Sequence, residues 1–369
     1  MSCELLVEVT RNGTVESRHF GAAVVCDSKG DVVESWGDIE SLVFPRSALK
    51  PMLAIQLVES GASDQYALSD AELSLACSSH QGEQMHQNLV ESWLSRLGLT
   101  EDHLACGAVL PEHTESAHQL LASGQHGCRI HHNCSGKHTG FLTTALHLDI
   151  PLDNYHQVEH PLQQLSLDTL SDLADIDLKQ YPIGIDGCGL PAPTMPLLQL
   201  GQATARFANP VDLSDYRAQA IYRLHEAVTN EPLYIAGHGT MVSELNEVTK
   251  GAVLSKTGAE GVVTAALPER GLGIAVKIAD GSARARSVAL LAILDHLGAL
   301  SDEEKHQLQA HISPTIVDSR GIVVGEIRPV FQGSSDQACP SRKSGKPPYP
   351  ESVDCWITAF AGMTCSEII

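Results

Sequence analysis

The sequence predicts an α+β fold in which strands from the two ends of the chain share one antiparallel sheet around a helical middle. Three observations lead there. The first forty residues alternate like strands and break at Asn12-Gly13 and at Ser28-Lys29-Gly30. From residue 47 to about 97, and in several later stretches, apolar residues recur at spacings of three and four. Strand-like alternation then returns at 271–280 and in a last hairpin that turns at Ser319-Arg320-Gly321. Strands at both ends with helices between them imply segregated layers rather than repeating βαβ units.

Taken in order, residues 5–9, 15–26 and 32–36 are three strands of a meander. Met52, Ile55, Gln56 and Val58 continue one helical segment that stops at Gly61. Ser69-Asp70-Ala71-Glu72 is a capping-box pattern opening the next helix, whose far end carries Cys77-Ser78-Ser79-His80. Leu89, Trp93 and Leu97 mark a third, closed by Gly98. Further helices are expected at about 160–174, 195–207, 212–228 and 287–297. Two glycine-bearing loops interrupt this middle region, Asn133-Cys134-Ser135-Gly136-Lys137-His138 and Asp186-Gly187-Cys188-Gly189. Lys256-Thr257-Gly258-Ala259-Glu260-Gly261 reads as the entry to a helix. After Pro329 the composition turns rich in Ser, Gly, Pro and Lys, with no periodicity. Residues 1–330 are therefore expected to form the folded unit, and 331–369 a disordered or unrelated tail.

Charge narrows the function classes. Lys+Arg is 24 against Asp+Glu 45, a formal net charge of −21. So acidic a surface repels nucleic-acid backbones and anionic membranes. No apolar run reaches the roughly 20 residues of a membrane span, and residues 1–13 lack the apolar core of a signal peptide. A cytoplasmic address follows as the expectation. The cysteines are scattered through a long chain, which suits reduced thiols with one or two in special roles.

Five groups of residues offer chemistry. Ser47 and Lys50 lie three apart, so on a helix the amine can reach the hydroxyl and activate it as a nucleophile. Spacing alone is weak, but Pro51 places Ser47 at or just before a helix start, where free N–H groups favour developing negative charge. Cys134 and Cys188, each near glycine on a tight loop, look like zinc ligands, with a third from Lys137, His138 or His132. Small buried cysteines in ordinary turns would show the same pattern. Ser79 is a possible second hydroxyl for moving protons. Lys256-Thr257-Gly258 is similar to the Lys-Thr-Gly of serine β-lactamases, a match too short to count alone. Gly237-His238-Gly239-Thr240 is a loop able to touch a substrate.

Phe44–Pro51, Cys77–Glu83, Asn133–His138, Asp186–Gly189 and Lys256–Gly261 together resemble, in order, the motifs of the asparaginase II family. This is the rhizobial-type, class 3 L-asparaginase. The resemblance covers about residues 5–330 and implies a serine β-lactamase-like and glutaminase-like fold, hydrolysis of L-asparagine to L-aspartate and ammonia, and a homodimer. It implies Ser47 as nucleophile, Lys50 as adjacent base, and Ser79 in a further Lys–Ser relay in which Lys137 takes part. Cys134, Lys137 and Cys188 match the family's zinc ligands, the metal supporting substrate binding more than chemistry. Arg46, His138, Asp186 and Lys256 match residues around the substrate. Two other readings stand beside this one: a penicillin-recognising serine acyl hydrolase, and a non-catalytic zinc-binding protein.

Overall fold

The computed structural model of the protein describes residues 3–330. The tail expected at 331–369 lies outside the described residues. The first three strands, β1 Glu4–Arg11, β2 Thr14–Asp27 and β3 Val32–Trp36, form the expected meander. Four short strands frame the site: β4 Leu42–Val43, β5 Ile183–Ile185, β6 Pro191–Pro193 and β7 Met195–Pro196. Of these β4 pairs with β7, and β5 with β6. The last five are β8 Leu254–Thr257, β9 Val262–Leu267, β10 Leu272–Ile278, β11 Thr315–Val317 and β12 Val323–Pro329. The main sheet runs β11-β12-β1-β2-β10-β9-β8, with β3 beside β2. Chain ends meet as expected: Val7 lies opposite Pro329 and Val9 opposite Ile327.

Burial explains the strand patterns. The outer half of β2 alternates exposed and covered positions, whereas Ala22 to Cys26 is buried without a break. That run is flanked by β10 and covered on both faces, so it loses the period-two signature. β9 is buried throughout for the same reason. This overturns one expectation. Lys256 and Thr257 end a strand, and the following turn reverses into β9, with Lys256 opposite Thr264. A continuous apolar run such as 262–267 cannot be told from a helix by periodicity.

The helical middle begins with α1 Lys50–Leu53, α2 Ile55–Glu59, α3 Ala62–Gln65 and α4 Asp70–Ala76. The predicted capping box opens α4: Ser69 and Glu72 exchange side chain–backbone hydrogen bonds. Then follow α5 Gln84–Arg96, α6 Thr114–Ala122, α7 Ser135–His147 and α8 Pro161–Ala174. After these come α9 Leu197–Ala208, α10 Asp215–Asn230, α11 Met241–Thr249 and α12 Ala283–His296. Among the described residues no helix is long and apolar enough to cross a membrane.

Helices α9 and α12 both pack on β9 and β10. The approach of α9 is close enough to require glycine: a Cβ at Gly273 would lie 2.1 Å from the Ala205 nitrogen. A second, smaller apolar cluster lies under the cysteine loops. It gathers Leu75, Leu94, Phe141, Leu142 and Leu190 around Cys134 and Cys188.

Candidate active site

Ser47 is carried by a short 3-10 turn, Arg46–Leu49, that runs straight into α1. The turn is closed by the Ala48 N–H donating to the Pro45 carbonyl at 3.2 Å. Pro51 falls in the first turn of α1, where its missing N–H costs nothing. Arg46 enters the turn with φ of 54°, the left-handed region that costs a non-glycine residue about 1 kcal/mol or more. Its side chain accounts for the arrangement. The guanidinium donates twice to Asp186 Oδ1, at 3.1 and 2.7 Å, and the same oxygen accepts the Gly187 N–H at 2.6 Å. Arg46 thus ties the serine turn to the Cys188 loop. Burial opposes the Asp186 charge, yet the Arg46 hydrogen bonds and the nearby Lys137 ammonium hold its carboxyl below the usual range.

Ser47 faces a cleft of about 500 Å³ whose polar lining includes Arg46, Lys50, Lys137 and Asp186. Lys50 is buried. Its amine reaches the Ser78 carbonyl at 2.5 Å, the Ser79 hydroxyl at 2.9 Å and the Asn133 carbonyl at 3.2 Å. Behind it, Lys256 Nζ lies 2.8 Å from the same Ser79 hydroxyl. Burial, then the charges of Lys50 and Arg286, push the Lys256 amine well below its ordinary range and favour its neutral form. The result is a chain, Lys50–Ser79–Lys256, leading from the cleft into the interior. The lysine found on Ser79 is Lys256, on β8, and not Lys137. Lys256 was expected to contact substrate, but it does not line the cleft.

Lys137 points elsewhere. From the first turn of α7 it donates to Cys188 Sγ at 3.1 Å. A hydrogen bond links the Cys134 and Cys188 side chains. That hydrogen bond, ahead of burial, drives the Cys134 thiol well below its usual value and Cys188 above it. Burial works against the Lys137 charge, but the two sulfurs and Asp186 outweigh it and raise its pKa. Two sulfurs and an amine, buried and within reach of one another, fit a zinc ion only with the Lys137 amine deprotonated. Among the described residues no group of three His, Cys, Asp or Glu is arranged to hold a metal. Here the third donor would be the lysine.

His138, the remaining expected substrate contact, is fully buried and does not line the cleft. Its Nδ1 is 2.6 Å from the Tyr155 hydroxyl, which accepts the Ala105 N–H at 2.8 Å. Its Nε2 has no partner among the described residues. Burial drives its pKa well below normal, so the ring is held neutral. Three contributors escaped sequence reasoning. The Ser78 and Asn133 carbonyls hold Lys50, and no residue type announces a carbonyl. His80 accepts the Gly82 N–H on Nδ1 at 3.0 Å, which leaves Nε2 to donate to Ser135 Oγ at 2.8 Å. It fastens the Ser79 segment to the start of α7.

Comparison with known proteins places this geometry in context. No curated protein matches the chain. A β-lactamase from Mycobacterium bovis is similar at 13% identity, covering 75% of this chain and 94% of that one with a TM-score of 0.38. A candidate β-lactamase from Bacteroides dorei is similar at 13% identity, covering 74% and 93% with a TM-score of 0.39. Likeness at this level says nothing about what the chain acts on. A family model is more specific: that of L-asparaginase II matches residues 7–329, a span that holds every residue of this site. The chain belongs to the L-asparaginase II family.

Proposed function

We propose that this protein hydrolyses L-asparagine to L-aspartate and ammonia through an aspartyl ester on Ser47. The observation that carries the reading is the serine hydroxyl in a cleft whose neighbouring amine, Lys50, continues into a second hydroxyl–amine pair. In the first half-reaction Ser47 Oγ attacks the side-chain carboxamide carbon, and its proton passes into the Lys50–Ser79–Lys256 chain. The Ser47 amide, at the start of its turn, is the candidate donor to the oxyanion. Returning the proton to the amide nitrogen lets the C–N bond break and ammonia leave. Water then adds to the ester, gives its proton to the same chain, and restores the Ser47 hydroxyl as aspartate departs.

Arg46 and Asp186 present opposite charges at the cleft, which suits a substrate carrying both an ammonium and a carboxylate. Cys134, Lys137 and Cys188 are proposed to hold zinc. When bound it supplies a fixed positive charge beside the cleft and requires the Lys137 amine to be neutral. His138, fully buried next to Lys137 on α7, does not line the cleft and is given no contact with substrate. A homodimer and a cytoplasmic site of action complete the proposal.

One observation favours a second reading. Lys256 and Thr257 end a strand, and Gly258 follows in the turn beside the serine turn, the setting expected of a β-lactam-recognising enzyme. Ammonia release from L-asparagine, L-glutamine and no substrate, run beside nitrocefin hydrolysis, separates the two. Asparagine-dependent ammonia that disappears in Ser47→Ala supports the asparaginase. Nitrocefin turnover without ammonia would replace it with the acyl hydrolase.

A further inference from the structure

One half-buried cation has no role in the account so far. Arg286 sits in the first turn of α12 and donates through Nη1 to the Gly258 carbonyl at 2.5 Å. Its Nε is buried without a partner among the described residues. Burial, with no counter-charge offsetting it, pushes the guanidinium below its ordinary value. A half-buried cation held only by a neutral carbonyl loses part of its hydration without gaining a counter-charge, so the fold alone gives little reason for it.

The reason lies in what Gly258 touches. Its N–H donates to the Val262 carbonyl at 2.8 Å. A Cβ there would lie 2.3 Å from the Pro45 carbonyl oxygen and 3.3 Å from the Ala48 nitrogen. Those two atoms form the hydrogen bond that closes the turn bearing Ser47. Backbone is therefore packed on backbone, with no side chain between the β8–β9 turn and the serine turn. Lys256 is two residues upstream, on β8.

We propose that Arg286 is a positioning residue: by gripping the Gly258 carbonyl it holds the β8–β9 turn, and with it Lys256, in register with the Ser47 turn. The proposal rests on the roles given above to Ser47 and Lys256. The charges facing Lys256 support it. Lys50 from α1 and Arg286 from α12 oppose a charge on that amine, whereas Cys134 and Cys77 favour one. Neutralising residue 286 thus makes Lys256 easier to protonate, and the acid limb of kcat/KM moves to higher pH.

The test uses the full chain with Arg286→Met and Arg286→Gln, measuring kcat and KM for L-asparagine across pH, thermal midpoints, and a ¹⁵N titration of the Lys256 amine assigned with Lys256→Met. The expected result for Arg286→Met is a kcat lower by about tenfold or more with KM within about threefold, and an acid limb moved to higher pH. The Gln variant, which retains a donor, should lose less kcat while moving the limb equally. If the Met variant does not fold, the Gln variant carries the same readouts. A kcat within about twofold of the parent overturns the proposal, as does a kcat loss that follows the thermal midpoint with the limb unmoved. If the parent itself releases no ammonia, the asparaginase reading has failed separately. The ¹⁵N titration then decides alone, and identical curves for parent and variants overturn the Arg286 assignment.

Discussion

Ser47 is the residue on which the proposed chemistry depends most directly. Ser47→Ala removes one half-buried hydroxyl and leaves the closing bond of its turn intact, so the fold should persist while activity falls by several orders of magnitude. Retention of a tenth of the parent rate, an effect of only about 1.4 kcal/mol, would exclude it as nucleophile. Cys188→Ser removes a sulfur that Lys137 and Cys134 both reach. Zinc per chain, measured by elemental analysis, should fall, and KM should rise more than kcat drops. Unchanged stoichiometry would contradict the ligand set. At this scale spacing singled out Ser47 and Lys50, and the family resemblance added roles for Ser79, Lys137 and Lys256. What they did not reveal was partnership. Whether Ser79 meets Lys137 or Lys256 depends on how α7 and β8 pack, and local sequence carries no record of that.

Elements were legible where one face meets water or where a turn or cap marks them. The outer half of β2 alternates and β12 is mostly half-exposed. By contrast β1 and α4, buried from Leu6 to Thr10 and from Glu72 to Ala76, were marked by the Asn12-Gly13 turn and the Ser69–Glu72 capping box. Strands β8 and β9 were not legible, because burial on both sides erases the period that identifies a strand. The contact between α9 and β10 gives a prediction of its own. Gly273→Ala drives a methyl against the Ala205 nitrogen at 2.1 Å, and overpacking of this kind costs about 3 kcal/mol. The thermal midpoint should fall while kcat per folded molecule is retained, since α9 does not line the cleft. An unchanged midpoint in a melting scan would mean the helix can move away freely.

For the whole molecule, the buried histidines set the response to acid. Burial lowers His80 and His138 well below the usual imidazole value, and lowers His86 and His225 to about 4. The unfolded chain would protonate all four near pH 6.5, so the stability they contribute is full above that value. It is lost as pH falls toward the folded values, at up to about 1.4 kcal/mol per histidine per pH unit. Urea midpoints should therefore drop steeply between pH 6.5 and 4, and a flat profile would show the rings to be accessible. The net charge of −21 acts alongside this. Self-repulsion of like charges is screened by salt, so added NaCl at pH 8 should raise the thermal midpoint. A midpoint that falls with salt would indicate that the many surface ion pairs outweigh the repulsion.

The sheet order also sets a schedule for synthesis. Asp27 pairs with Leu272, and Val7 with Pro329. On a ribosome adding about 5–20 residues per second, β2 waits roughly 10–50 s for its neighbour to be made. The apolar run Ala22 to Cys26 spends that interval with one edge open. The nascent chain is thus a natural client for chaperones that shield unpaired strands. Truncations that remove β10 should yield aggregates rather than a smaller folded core.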